Sequence, residues 1–394
     1  MIQINTKRFE WTIINEIFKS TGNLICSLFK KIELYYTAPE TSEVVKQLLT
    51  SWFFDCGSIS ASKISKYLLN QNLTQKIKEF DEGISLVLHP EDRCHSSLIY
   101  AWPVTKQKAL KYSRPSERKK IILTVINIGN VHLFQGISRD DLEIEPRRNT
   151  VYSSVDRIKK ITLCCDDQVS LVITQLSEIF DYDTFALKYR DQLLSALHVD
   201  VCPYCNRQYI TNYIARESAR ATADIDHFYS KSQYPFLALS MYNFIPSCQI
   251  CNSRFKLTSD FGHKEHIYPY ERGFGEDGKF KFENIDCLLG GEPQYTIENL
   301  NNLEAIKNSI DTFHLREIYQ SHKDYVQELV RKAQIYNDSQ CAEYLTNFRG
   351  LFKNKEEMLR IVFGYYITEP DLGKRPLAKL TKDLLDDLEI QIEG

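Results

Sequence analysis

Apolar residues recur along this chain in two rhythms. Trp11, Ile14, Ile17, Phe18, Ile25, Leu28 and Phe29 keep helical spacing, so a helix is predicted here, interrupted near Thr21-Gly22-Asn23. Val45, Leu48, Leu49 and Trp52 predict a second helix, and Ile64, Tyr67, Leu68 and Leu69 a third. Short β-rich runs follow at 84–88, 121–126, 131–134 and 161–164. Helical spacing returns at about 168–179 and 185–197. A Gly-rich stretch at 273–278 and a turn at Gly290-Gly291-Glu292-Pro293 come next. Leu315, Ile318, Tyr319, Val326, Leu329 and Val330 predict one long helix. Leu377, Leu380, Leu384, Leu385 and Leu388 predict another, entered through Arg375-Pro376 with the proline in the first turn.

The expected fold class is therefore α+β. With 394 residues the chain is long enough for two domains. A hydrophobic share of 43% against 26% charged residues is that of an ordinary soluble domain. No apolar run approaches the roughly 18–20 residues of a membrane helix. The opening residues Met1-Ile-Gln-Ile-Asn-Thr-Lys7 lack the order of a secretory leader. The 11 cysteines are odd in number, so the expectation is a reducing cytoplasm without a disulfide framework and without a membrane partner.

A net charge of −3 offers no global attraction to nucleic acid, so such contacts must be local. Residues 106–120 hold Lys106, Lys108, Lys111, Arg114, Arg118, Lys119 and Lys120 against one acid, Glu117. That segment reads either as a solvated loop or as a phosphate-tracking patch.

The chemistry concentrates further on. Cys202-Pro-Tyr-Cys205 and Cys248-Gln-Ile-Cys251 are two C-x-x-C pairs, 42 residues apart. Each presents two thiolates from one tight turn, and four thiolates close a structural zinc site. Between them lies Asp224-Ile-Asp226-His227, where a short strand would carry both carboxylates on one face and deliver the histidine at its end. Asp226 is a hard-oxygen donor for Mg²⁺ or Mn²⁺. His227 can take a proton from water, because an imidazole titrates near neutrality. Asn252 follows Cys251 directly and can cap a helix or coordinate a metal. Arg254, Lys256 and His266 are candidates for contact with substrate phosphate, each also readable as an ordinary solvated or structural side chain.

The order Cys202-x-x-Cys205, Asp226-His227, Asn243, Cys248-x-x-Cys251-Asn252 resembles the HNH endonucleases that carry a zinc ribbon. The resemblance implies a ββα-metal core flanked by helices, with a mixed helical and β domain ahead of it. It implies that His227 is the general base, that Asp226 and Asn252 bind a catalytic Mg²⁺ or Mn²⁺, and that Asn243 orients the His227 loop. The words Asp226-His-Phe-Tyr-Ser-Lys-Ser-Gln-Tyr-Pro-Phe-Leu-Ala238 and Cys251-Asn-Ser-Arg-Phe-Lys256 are similar to bacterial anti-phage defence nucleases of the Septu and retron-associated kinds. Two positions depart from the family pattern. Ser230 stands where many members have Pro, and Lys256 lies four residues after Asn252 rather than three.

The domain expectation is 1–184 for a sensing, partner or substrate-binding region, 185–290 for the nuclease core and 291–394 for a helical region packed on it. The resemblance implies cleavage of nucleic acid, DNA ahead of RNA, with an ATPase as a possible partner. An RNA or tRNA nuclease, or an inactive zinc-stabilised binding module, are the competing readings.

Overall fold

The structure, a computed structural model, describes residues 1–35, 60–87, 176–215, 218–257, 259, 261–262, 264–284, 291–348, 350–366 and 368–389. The predicted helix at Val45–Trp52, the basic segment 106–120, the β runs at 121–126, 131–134 and 161–164, most of 168–179 and Gly290 lie outside the described residues. The fold is a mixture of helices and small antiparallel sheets. Among the described residues, no helix is long and apolar enough to cross a membrane.

Two compact units interleave along the chain. One comprises Met1–Ile17, Ala186–Tyr229 and Tyr242–Gly394, the other Phe18–Phe185 and Ser230–Met241. Residues 1–17 belong with the cysteine-rich region, and residues 230–241 belong with the earlier part of the chain.

Helix α1 (Trp11–Tyr35), which enters the second unit at Phe18, runs unbroken through Gly22, where an interruption was expected. Gly22 serves close packing instead. A Cβ there would stand 2.4 Å from Ser65 Oγ and 2.7 Å from the Ala61 carbonyl, both on α2 (Ala61–Leu68). α3 (Leu73–Val87) occupies most of the stretch 84–88 that was expected to be β. Its buried residues Leu73, Lys76 and Phe80 keep a helical period, and a short apolar run cannot reveal that on its own. The segment 230–241 is anchored to these helices. Phe236 stacks on Phe80 at 4.2 Å, its carbonyl accepts from Tyr67 Oη, and Ser240 Oγ accepts from Lys76 Nζ at 3.1 Å.

The first unit is built on α4 (Tyr182–Leu197) from Ala186 onward and three separate antiparallel hairpins. These are β1 (Asn212–Ala215) with β2 (Ser218–Ala221), β3 (Asp224–His227) with β4 (Phe244–Ser247), and β5 (Gly278–Phe282) with β6 (Tyr295–Asn299). The β5–β6 pairing spans position 290, where a boundary was expected. The expected long helix at 315–330 is also divided. After α5 (Glu304–Thr312) it runs as α6 (Leu315–Tyr319), a 3-10 turn (Gln320–His322) and α7 (Lys323–Ile335). The division coincides with Tyr319, whose carbonyl accepts from Tyr295 Oη and whose own hydroxyl donates to the Cys205 carbonyl at 2.6 Å.

α8 (Asp338–Asn347) and α9 (Lys355–Phe363) precede the last described helix, α10 (Ala378–Asp387). Pro376 lies ahead of α10 rather than in its first turn. The start of that helix is set by Asn206, whose carbonyl accepts from Leu377 N–H and whose Oδ1 accepts from Lys379 N–H at 3.0 Å. α10 also closes an edge of the β5–β6 hairpin. Asp383 and Asp387 accept the N–H groups of Phe280 and Phe282, satisfying donors that a bare edge would leave open. Asp383 is buried against Lys379 at 2.6 Å, and burial pushes its carboxyl up to about 6.

Candidate functional site: a four-cysteine cluster beside an Asp-His strand

Each C-x-x-C pair is closed by the N–H of the residue after its second cysteine. Asn206 N–H donates to the Cys202 carbonyl at 2.8 Å, and Asn252 N–H to the Cys248 carbonyl at 3.0 Å. The turns bring all four buried sulfurs to within 4.8 Å of one another, with Cys205 and Cys248 3.9 Å apart. A zinc–sulfur bond of about 2.3 Å in tetrahedral geometry puts sulfurs roughly 3.8 Å apart, so the cluster fits zinc. Burial, and after it the neighbouring Cys205 and Cys248, push the Cys202 thiol up, so a bound cation is what would let four packed sulfurs carry their charge. Arg207 N–H donates to Cys205 Sγ at 3.4 Å and thereby supports one sulfur from behind.

The strand between the pairs keeps strict alternation. β3 pairs with β4 in the register Asp224↔Ser247, Ile225↔Pro246, Asp226↔Ile245 and His227↔Phe244. Asp224 and Asp226 share the face toward the helical segment Cys251–Lys256, and His227 lies on the other. His227 packs edge-on against its cross-strand partner Phe244, with ring centroids 5.3 Å apart. The loop that follows is tied down by Asn243. Its Oδ1 accepts from Tyr229 N–H at 2.8 Å, its Nδ2 donates to the Tyr229 carbonyl at 2.9 Å, and its own carbonyl accepts from Phe228 N–H.

Three of the candidate side chains are engaged within the fold. Asp226, expected as a metal ligand, is 3% exposed, and each carboxylate oxygen has a partner within the chain. Lys256 Nζ stands 2.9 Å from Oδ1, and Tyr204 Oη donates to Oδ2 at 2.6 Å. Lys256 does not face a phosphate, because its ammonium is buried in that pair. His266 has both ring nitrogens occupied, Nδ1 donating to the Lys264 carbonyl at 2.6 Å and Nε2 accepting from Thr312 Oγ1 at 2.9 Å. Burial holds its pKa below the usual histidine value, so the ring is a neutral structural block stacked on Phe261.

The carboxylate that meets Asn252 is Asp224. Asn252 Nδ2 lies 3.3 Å from Asp224 Oδ2, and both residues are half-buried. Arg190 of α4 donates to the Ala223 carbonyl and stands 3.8 Å from Asp224 Oδ1. Both Asp224 oxygens are thus in polar contact, Oδ2 with the Asn252 amide and Oδ1 with the Arg190 guanidinium. Arg254 is exposed on the same helical segment.

Sequence reasoning missed Tyr204, Asn206 and Arg190. Only the alternation of β3, which put Asp224 on the face of Asp226, could have signalled the first carboxylate. Tyr204 and Asn206 sit in or beside a C-x-x-C pair and carry no separate signature.

Compared with protein-family models, curated proteins and solved structures, the chain matches none.

Proposed function

We propose that the chain is a metal-dependent endonuclease of the HNH kind, hydrolysing phosphodiester bonds of nucleic acid, with DNA favoured over RNA. The observation that carries this reading is the pairing of Asp224 with Asn252 beside the strand that bears His227. Hairpin, braced loop and following helical segment come in the order that the HNH resemblance implies, and the cysteine cluster ties them together.

His227 is assigned as general base, taking a proton from the attacking water. Asn243 holds the Tyr229 backbone and so limits the swing of the His227 loop. Asp224 and Asn252 would hold the divalent ion, which when bound supplies positive charge to the phosphate and the leaving oxygen. Arg254 is placed to meet a neighbouring phosphate. Zinc on Cys202, Cys205, Cys248 and Cys251 keeps the hairpin and the helical segment in register. A defence role with an ATPase partner belongs to the same proposal and rests on the resemblance alone.

The engaged state of Asp226 favours one competing reading, a zinc-stabilised binding module without catalysis. Digestion of plasmid DNA and total tRNA by the purified protein, with Mg²⁺, Mn²⁺ or EDTA and beside His227→Ala, separates them. Metal-dependent cutting lost in His227→Ala supports the nuclease and names its substrate. Binding without cutting, at full zinc content, supports the module.

A further inference from the structure

The Lys256 ammonium sits where a cation is expected in the core. It lies 2.9 Å from Asp226 Oδ1, donates to the His227 carbonyl and is 2% exposed. The ring of Phe261 covers it at 4.8 Å. Phe261 is backed by His266 at 3.7 Å, and His266 is pinned by the Lys264 carbonyl and Thr312. From the other side, Tyr204 holds Asp226 Oδ2 and is itself stacked on Phe313 at 4.5 Å.

We propose that Lys256 is a built-in cation of this core, resting on the nuclease reading above. It stays between Asp226 and the His227 carbonyl while the divalent ion is held at Asp224 and Asn252. Asp226 is then a positioning residue that acts through Lys256 and Tyr204.

The physical argument is one of displacement. A divalent ion on Asp226 would have to evict the ammonium, leaving a buried positive charge without its carboxylate, an arrangement that is strongly disfavoured. A carboxylate 3% exposed also leaves no room for the waters that a small hard cation keeps. The backbone supports the same assignment. Cys251–Lys256 is π-helical, with Leu257 N–H donating to the Asn252 carbonyl at 3.1 Å, so the Lys256 side chain enters the core while Asn252 stays at Asp224. Such π turns are rare and concentrate at functional sites. By holding the His227 carbonyl, the ammonium fixes the backbone that carries the imidazole.

The test is lysine footprinting of the full, zinc-loaded chain by reductive methylation, read by mass spectrometry with and without excess Mn²⁺. The exposed Lys307 and the buried Lys379 serve as controls. Lys256 is expected to stay unmodified in both conditions while Lys307 reacts. Methylation of Lys256 without metal, or its appearance on adding Mn²⁺, overturns the proposal. A second measurement follows Mn²⁺ binding by electron paramagnetic resonance. Asp224→Asn is expected to weaken binding at least tenfold, whereas Asp226→Asn shifts it less than threefold; the reverse order overturns the assignment. If the protein cuts no nucleic acid, the nuclease reading fails, while the footprint still decides where the ammonium resides.

Discussion

The Tyr204 hydroxyl donates to Oδ2 of Asp226 at 2.6 Å, so the first C-x-x-C turn grips the strand that carries His227. Metal cluster and candidate active strand are joined by one hydrogen bond as well as by the chain. Tyr204→Phe leaves a buried carboxylate oxygen without its donor, at a cost of about 1.5–3 kcal/mol. Denaturant unfolding is expected to show that loss with zinc content unchanged. Wild-type stability in the variant would mean that the bond contributes nothing net.

Zinc is expected to hold the site together rather than to react. Cys248→Ser replaces a thiolate by a hydroxyl, a poor zinc ligand. Metal analysis should find zinc content well below that of the wild type, and near-UV circular dichroism should report lost packing around Tyr204. Added Mg²⁺ should restore neither signal. An unchanged spectrum in the zinc-free protein would show that the hairpin stands without metal.

Asn243 answers both backbone groups of Tyr229, as acceptor and as donor. Asn243→Ala orphans an amide and a carbonyl, each worth about 1–3 kcal/mol where buried. Asn243→Asp keeps the acceptor and loses the donor, so it should fall between alanine and wild type in thermal unfolding. Equal losses in the two variants would argue against this pair of bonds.

Lys76 sets a pH dependence in the second unit. Burial pulls its pKa from an ordinary 10.5 down to about 7. Between those values the unfolded chain binds the extra proton, so stability rises with pH from about 7 to 10.5 and is flat below. The slope for one proton is about 1.4 kcal/mol per pH unit. Lys76→Met should remove the rise and gain most at pH 7 and below. Urea unfolding at pH 7, 8 and 9 checks this, and parallel slopes in the two proteins would refute it.

Much of the fold was open to a reader of the chain because the signal is local. Helical spacing at Ile64–Leu68 and Leu380–Leu385 marks faces that are indeed buried. Gly22 misled because a glycine admits either a break or a close approach, and only its neighbours Ala61 and Ser65 choose between them. The run at 84–88 misled because Ile84, Leu86, Val87 and Leu88 span too few residues to show a helical period.

The cysteine cluster is the clearest case of what the sequence by itself determined. A C-x-x-C turn closes within its own residues, so its geometry follows from spacing, and the alternation along β3 likewise puts Asp224 and Asp226 on one face. Which of those carboxylates stays accessible was decided only by tertiary structure. Lys256 and Tyr204 take the two oxygens of Asp226 from separate parts of the chain, with Phe261 over the Lys256 ammonium, while Asp224 remains beside Asn252 and Arg190. Burial is a property of the assembled neighbours, and a carboxylate's role follows its burial rather than its place in a motif.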